Sequence, residues 1–259
     1  SNELVVQTSV DKQVNLVVGG DASIRFWDGA GVAGNGSIEG GAGTWNSSNS
    51  NWTTTNAGFN QAWNGSFAVF QNTAGVVTVE GAQSVTGLQF LSDGYQLNGG
   101  LAGELLLANA ASGVRVDNGL TATLAVNLGG SGGLHKLQGG TLVLDGNNSY
   151  SGGTRLDGGT LLIGNANALG SGALTAQAGT TLDSNGAFTL ANAVVLDGAL
   201  TLAGSHDLTL SGVIGGNGSL SKSGSATLLL TGNSNFGGST TVNGGTLRVT
   251  GSLGSGNVA

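Results

Sequence analysis

The chain has 259 residues, 51 of them Gly and none Pro, Cys or Met, and its 14 Asp+Glu against 7 Lys+Arg give a net charge of −7. The lack of Cys excludes disulfides, thiolate metal ligands and thiol chemistry. The scattered Lys and Arg form no basic stripe for nucleic acid and no basic amphipathic helix for a membrane surface. Hydrophobic residues make up 39% and charged ones 8%, which argues against disorder, and the glycines follow no G-X-Y period. No apolar run approaches the roughly 20 residues that span a bilayer. The missing initiator Met and signal peptide point to a mature or excised fragment.

Residues 1–27 read as the first coils of a solenoid, with strand-like pieces at Leu4–Val6, Val14–Val18 and Ile24–Trp27. Residues 28–66 differ. They are rich in Gly, Ser, Asn and Thr and hold Trp45, Trp52, Phe59 and Trp63. This stretch reads as an excursion folded back so that its aromatic rings cover apolar surface. From Phe67 the short-strand pattern resumes, with Val76–Val79, Val85–Phe90 and Tyr95–Leu97, and runs to the end.

Repetition is the strongest signal. The segment that starts at Lys136 (KLQGGTLVLDGNNSYSGGTRLDGGTLLIG) aligns without gaps with the one that starts at Lys222, at an offset of 86 residues. Residues 136–172 and 222–256 are the two copies. Inside them a shorter period appears: GGTL at Gly139 returns at Gly158, 19 residues on, and GTTL follows at Gly179. Pieces such as Thr141–Leu144, Thr154–Leu156 and Thr160–Ile163 alternate apolar and small polar residues, the period of a strand with one buried face. Gly, Asn and Asp separate them and supply corners.

No window sustains a helical period. A period near 20, with like residues recurring in successive coils, favours a solenoid over a sandwich or propeller. The expected fold is all-β: a right-handed parallel β-helix of the pectin-lyase-like kind, with three short strands per coil and residues 1–259 as one unit. About a dozen rungs at about 4.8 Å each give a rod roughly 50–60 Å long.

The residues from Gly140 to Thr160 resemble the autotransporter-associated β-strand repeat, also called the passenger-associated transport repeat. The hallmark is a G-T-L-x-L-x-G-x-N-x-Y/F-x-G-G-T run closed by a second G-T-L. It is met by Gly140, Thr141, Leu142, Gly146, Asn147, Tyr150, Gly152, Gly153 and Thr154, then by Gly159, Thr160 and Leu161. The second copy meets it at Gly232, Asn233, Phe236, Gly245, Thr246 and Leu247, with Ala226 and Ser239 in place of two glycines. Upstream strings such as WDG at Trp27, GTWN at Gly43 and AWNG at Ala62 extend the resemblance to about residues 24–256.

That resemblance implies a passenger of a Gram-negative type V secretion system, exposed at the cell surface or released. It implies a β-helical stalk that assists secretion and folding, with adhesion as an added role. The implied partner is the protein's own C-terminal outer-membrane β-barrel, with host-surface or neighbouring-cell molecules as candidates. No cofactor, metal, nucleic acid or direct membrane insertion is implied. A chain that crosses a narrow pore unfolded and then folds coil by coil needs neither disulfides nor slow prolyl isomerisation.

Catalytic candidates are weak. His135 and His206 lack a local His partner; His206–Asp207 has the order of a base and its orienter, against a plainer corner reading. Asp145, Asp157 and Asp197 each precede Gly, which is turn chemistry. A glycosidase pair would need two carboxyls about 5–9.5 Å apart on one face. No G-x-S-x-G elbow or calcium nonapeptide series is present. The expectation is therefore no enzyme. Trp45, Trp52 and Trp63 form the one candidate ligand site, through stacking on sugar rings. The competing reading is that they anchor the excursion to the rod. Exposure in a cleft would favour binding, and burial would favour anchoring.

Overall fold

The computed structural model describes residues 24–29, 34–55 and 57–259 in full, together with the backbone of Asn2–Gln7 and Asn15–Gly20. Among the described residues there is no helix. The chain winds through three faces, and each strand pairs in parallel with the strand one coil on. The first face runs from Ile24–Trp27 through Leu134–Leu137 to Ile214–Gly216. The second is a ten-stranded sheet from Gly43–Trp45 to Thr240–Val242. The third holds Ala82–Val85, Glu104–Leu107 and Asn127–Gly129, then, after a gap, Phe188–Leu190 to Thr246–Val249. The result is a parallel β-solenoid, consistent with a right-handed β-helix.

The register explains why the sequence repeats. On the second face Ala122, Leu142, Leu161, Leu182 and Leu202 stack inward, one per coil. The same face stacks Thr121 on Thr141 and Thr141 on Thr160, pointing outward. Alternation within each strand thus becomes an apolar column inside and a polar column outside. A step between neighbouring coils is 19–21 residues here.

Three expectations need correction. Asn2–Gln7 and Asn15–Gly20 pair antiparallel with each other and are not coils of the rod; Leu4–Val6 falls in the first of them, while Val14 lies outside the described residues. The seven residues that link the two strands allow a hairpin but not a parallel crossover, which needs a dozen or more. The longest parallel stack has ten strands rather than a dozen coils, because residues 28–66 contribute little to the winding. The run Val85–Phe90 is not one strand: Ala82–Val85 lies on the third face, Gly87–Phe90 on the first, and Thr86 turns the corner.

Three strands per coil is also interrupted, and the interruptions coincide with the repeats. In the first copy residues 145–153 follow a second-face strand and cross the third face without forming a strand. In the second copy residues 231–239 cross the first face in the same way. The copies therefore sit one face apart. An offset of 86 residues is four coils of about 20 plus about a third of a coil.

Candidate functional site

The repeat hallmark forms a packed unit that links one coil to the next. Leu142 and Leu161 stack in one inner column, and Tyr150 and Phe236 fill equivalent buried positions in the two copies. Tyr150 Oη bonds Thr154 Oγ1 at 2.6 Å, and burial pushes its hydroxyl pKa upward. Gly159 and Gly245 both have positive φ, 68° and 65°, and a Cβ there would meet the carbonyl oxygens of Gly140 and Ala226 at 2.3 and 2.4 Å. Glycine is thus required twice over, by conformation and by contact with the coil before. At Gly146 and Gly232 the contact alone decides, with Val126 O and Gly212 O at 2.4 and 2.3 Å from a built Cβ. Asn147 is exposed at a corner, where its amide N–H donates to Asn127 Oδ1 and its Oδ1 accepts from Asn167 Nδ2. Asn233 bridges in parallel to Ser252.

Sequence reasoning missed the residues that bind each unit most tightly. Lys136 and Lys222 point inward, 0% and 1% exposed. Lys136 stands in the aliphatic column of Leu88, Val114, Leu156 and Ala176. Lys222 stands beneath Leu202 in the column of the neighbouring face. Lys136 Nζ donates to the carbonyls of Leu137, Gln138 and Gly158 at 3.0, 2.8 and 3.1 Å. Lys222 Nζ donates to Ser223, Gly224 and Gly244 at 2.6, 3.1 and 3.2 Å. The three acceptors correspond one for one at the offset of 86. In each copy two lie on the lysine's own corner and the third on the next coil. An ammonium has three N–H donors, so the group is saturated. Burial pushes Lys136 down to about 8 and lowers Lys222, the latter opposed by Asp183 and Asp207. Asn148, also buried, ties three coils: its Oδ1 accepts from Leu128 N at 2.8 Å and its Nδ2 donates to Ala168 O at 2.6 Å. The available signal was a Lys at the head of both copies, in phase with an apolar column.

The Trp residues converge at the N-terminal end of the winding. Trp45 and Trp52 are 0% exposed and Trp63 is 9%. Their ring centroids lie 4.4–4.9 Å apart, and Trp27 reaches Trp52 at 5.2 Å. Phe70 continues the cluster inward to Phe90 and Tyr95. Trp27 Nε1 donates to Gly41 O and Trp63 Nε1 to Ser84 O, both at 2.8 Å. The segment also meets all three faces. Gly43–Trp45 adds to the second face, Trp52–Thr53 pairs antiparallel along the outer edge of the first, and Ser66 O accepts from Thr86 N beside the third. Antiparallel pairing at Trp52–Thr53 covers strand edge that a parallel coil would otherwise occupy. All three indoles are buried, the arrangement expected of anchors to the rod.

The catalytic candidates separate. His135 Nε2 contacts Asp157 Oδ2, and Arg155 Nε forms an ion pair with Asp157 Oδ1 at 2.8 Å. Asp145 follows a second-face strand and accepts from Asn185, whereas Asp157 follows a first-face strand, so the two acids stand at different corners. Asp197 accepts from Gln177. His206 Nδ1 lies 2.9 Å from Ser184 O while Asp207 Oδ1 accepts from Thr227 N, so each ties its corner to a different coil. Among the described residues no three His, Asp or Glu side chains converge on a metal position.

Residues 134–163 and 220–249 match the family model of the passenger-associated transport repeat. Over 167 residues, 56% of the chain, the sequence is 40% identical to the adhesin BmaC autotransporter of Brucella suis biovar 1 (strain 1330), of which the match spans 5%. No solved structure matches.

Proposed function

We propose that this chain, a segment of an autotransporter passenger carrying two passenger-associated transport repeats, is a surface stalk in which the repeats lock coil to coil as the passenger folds outside the cell. A passenger of this class stands at the cell surface on the outer membrane. The observation that carries the proposal is the identical buried lysine network in both copies, although they occupy different faces. A unit that keeps its internal bonds when rotated by one face depends on its neighbouring coils and not on its place along the rod. Such a unit suits a chain that emerges unfolded and adds coils one at a time. The full protein's outer-membrane barrel is the partner of this step, and an adhesive role fits the name of the similar Brucella protein.

The test uses the full-length protein on cells. With Lys136→Ala and Lys222→Ala together, barrel insertion should match wild type while protease-resistant passenger at the surface falls several-fold. Equal protease resistance in the double variant would defeat the folding role.

Asp145 and Asp157 stand at different corners, so the glycosidase reading gains no support from that pair. The inward-facing Trp rings favour an end cap over a glycan platform.

A further inference from the structure

From Thr121 onward the outer surface of the second face carries a hydroxyl on each of seven successive coils. Thr121, Thr141, Thr160, Thr181 and Thr201 stack in direct register, and Ser221 and Thr241 continue the column. Six steps of about 4.8 Å make a ladder about 29 Å long. Among the described residues no protein group bonds the Thr hydroxyls of this ladder, and Ser221 Oγ accepts from Asn243 Nδ2 at 2.9 Å. Beside it runs a second outward column of Thr123, Val143, Leu162 and Asp183. Asp183 is the one charged side chain that this sheet points outward, because Lys222 points in.

We infer that this face is a docking surface for an extended neutral polysaccharide lying along the rod axis. The chemistry selects the partner. A hydroxyl both donates and accepts, so a column of hydroxyls can pair with another polyol without needing fixed donors and acceptors. Acidic glycans and nucleic acids would need cations that this face lacks, in a chain whose net charge is −7. The neighbouring Leu162, half-buried, gives an apolar spot for the C–H face of a sugar ring. A β-1,4-linked chain advances by about one coil per ring, so several successive hydroxyl pairs can stay in register before the two repeats drift apart. Each contact is weak, and affinity comes from their number along one rigid ladder. The proposal rests on the surface-passenger reading only for access in the cell; binding by the purified chain does not depend on it.

The test is co-sedimentation of the purified 259-residue chain with microcrystalline cellulose, with polygalacturonate as the acidic comparison and sedimentation velocity to follow self-association. Thr141→Val, Thr160→Val and Thr181→Val combined keep shape and strand preference while removing three hydroxyls. Thr160→Lys blocks the ladder from its middle. The chain should bind cellulose, and both variants should bind at least tenfold more weakly with unchanged circular dichroism. Equal binding by wild type and variants, or no binding by the folded wild type, would overturn the proposal. So would preference for polygalacturonate. Self-association that the variants abolish, without cellulose binding, would assign the face to contact between copies instead.

Discussion

Replacing Lys136 by Met isolates the contribution of the buried ammonium. Met keeps an unbranched stem of similar length in the column between Val114 and Leu156, so little cavity forms. What disappears is the donor to Leu137 O, Gln138 O and Gly158 O. A buried acceptor left without a donor costs about 1–3 kcal/mol. Against three such losses stands relief of the ammonium's own desolvation, several kcal/mol. The three carbonyls are only partly buried, so each loss sits at the low end of that range and the expected net destabilisation is about 1 kcal/mol. Lys136→Ala removes the stem as well and should cost roughly 2 kcal/mol more through the cavity. Urea unfolding followed by far-ultraviolet circular dichroism measures both. Lys222→Met should behave like Lys136→Met because its three acceptors are equivalent. A Met variant as stable as wild type, or more so, would refute the view that the lysine clamps successive coils.

Further predictions follow from the same geometry. Lys136 titrates near 8 when folded against 10.5 in the unfolded chain, so between these values the unfolded state binds more protons and stability rises with pH. Above about pH 10 the sign reverses: Tyr95 is pushed up to about 12 by burial and Tyr150 is also raised, so the folded state keeps protons that the unfolded chain loses. Melting temperature against pH should therefore climb from pH 8, turn near 10 and fall beyond it, and Lys136→Met should flatten the climb. All four Trp lie between residues 27 and 63, so indole fluorescence reports the N-terminal cap while circular dichroism reports the rod. Acrylamide should quench the native emission poorly, and Trp45→Ala should destabilise the cap by about 3–5 kcal/mol, read as an earlier fluorescence transition. Gly159→Ala should cost more than about 1 kcal/mol in the same unfolding assay, because the residue combines positive φ with close approach to Gly140 O.

The columns of the rod were legible because one coil puts the same residue type in the same place as the next. Thr141 and Thr160 share a sequence context and a register, and the 19-residue spacing between the GGTL strings is the step between them. The rotation of the second copy by a face was not read, although 86 is no multiple of a coil near 20. Lys136 and Lys222 are hard to place from sequence because a charged residue near the end of a strand, beside a corner, reads as solvated; only their alignment with Val114 and Leu202 reveals the inward position. Asn148 was hidden behind Asn147, since adjacent asparagines do not declare which one turns inward. The hairpin of Asn2–Gln7 and Asn15–Gly20 is not legible in the sequence because alternation marks a strand but not the direction of its partner.

Parallel winding, with one coil per 19–21 residues from Thr121 onward, is tested most directly by distances between spin labels on the outer column of the second face. Labels at positions 121 and 201 are four steps apart, and those at 121 and 241 six steps. Double electron–electron resonance should give separations near 19 and 29 Å before allowance for the label arms, in proportion to the number of coils. Separations that fail to grow with coil number, as strands of alternating direction in a sandwich would give, would contradict the solenoid and everything built on it.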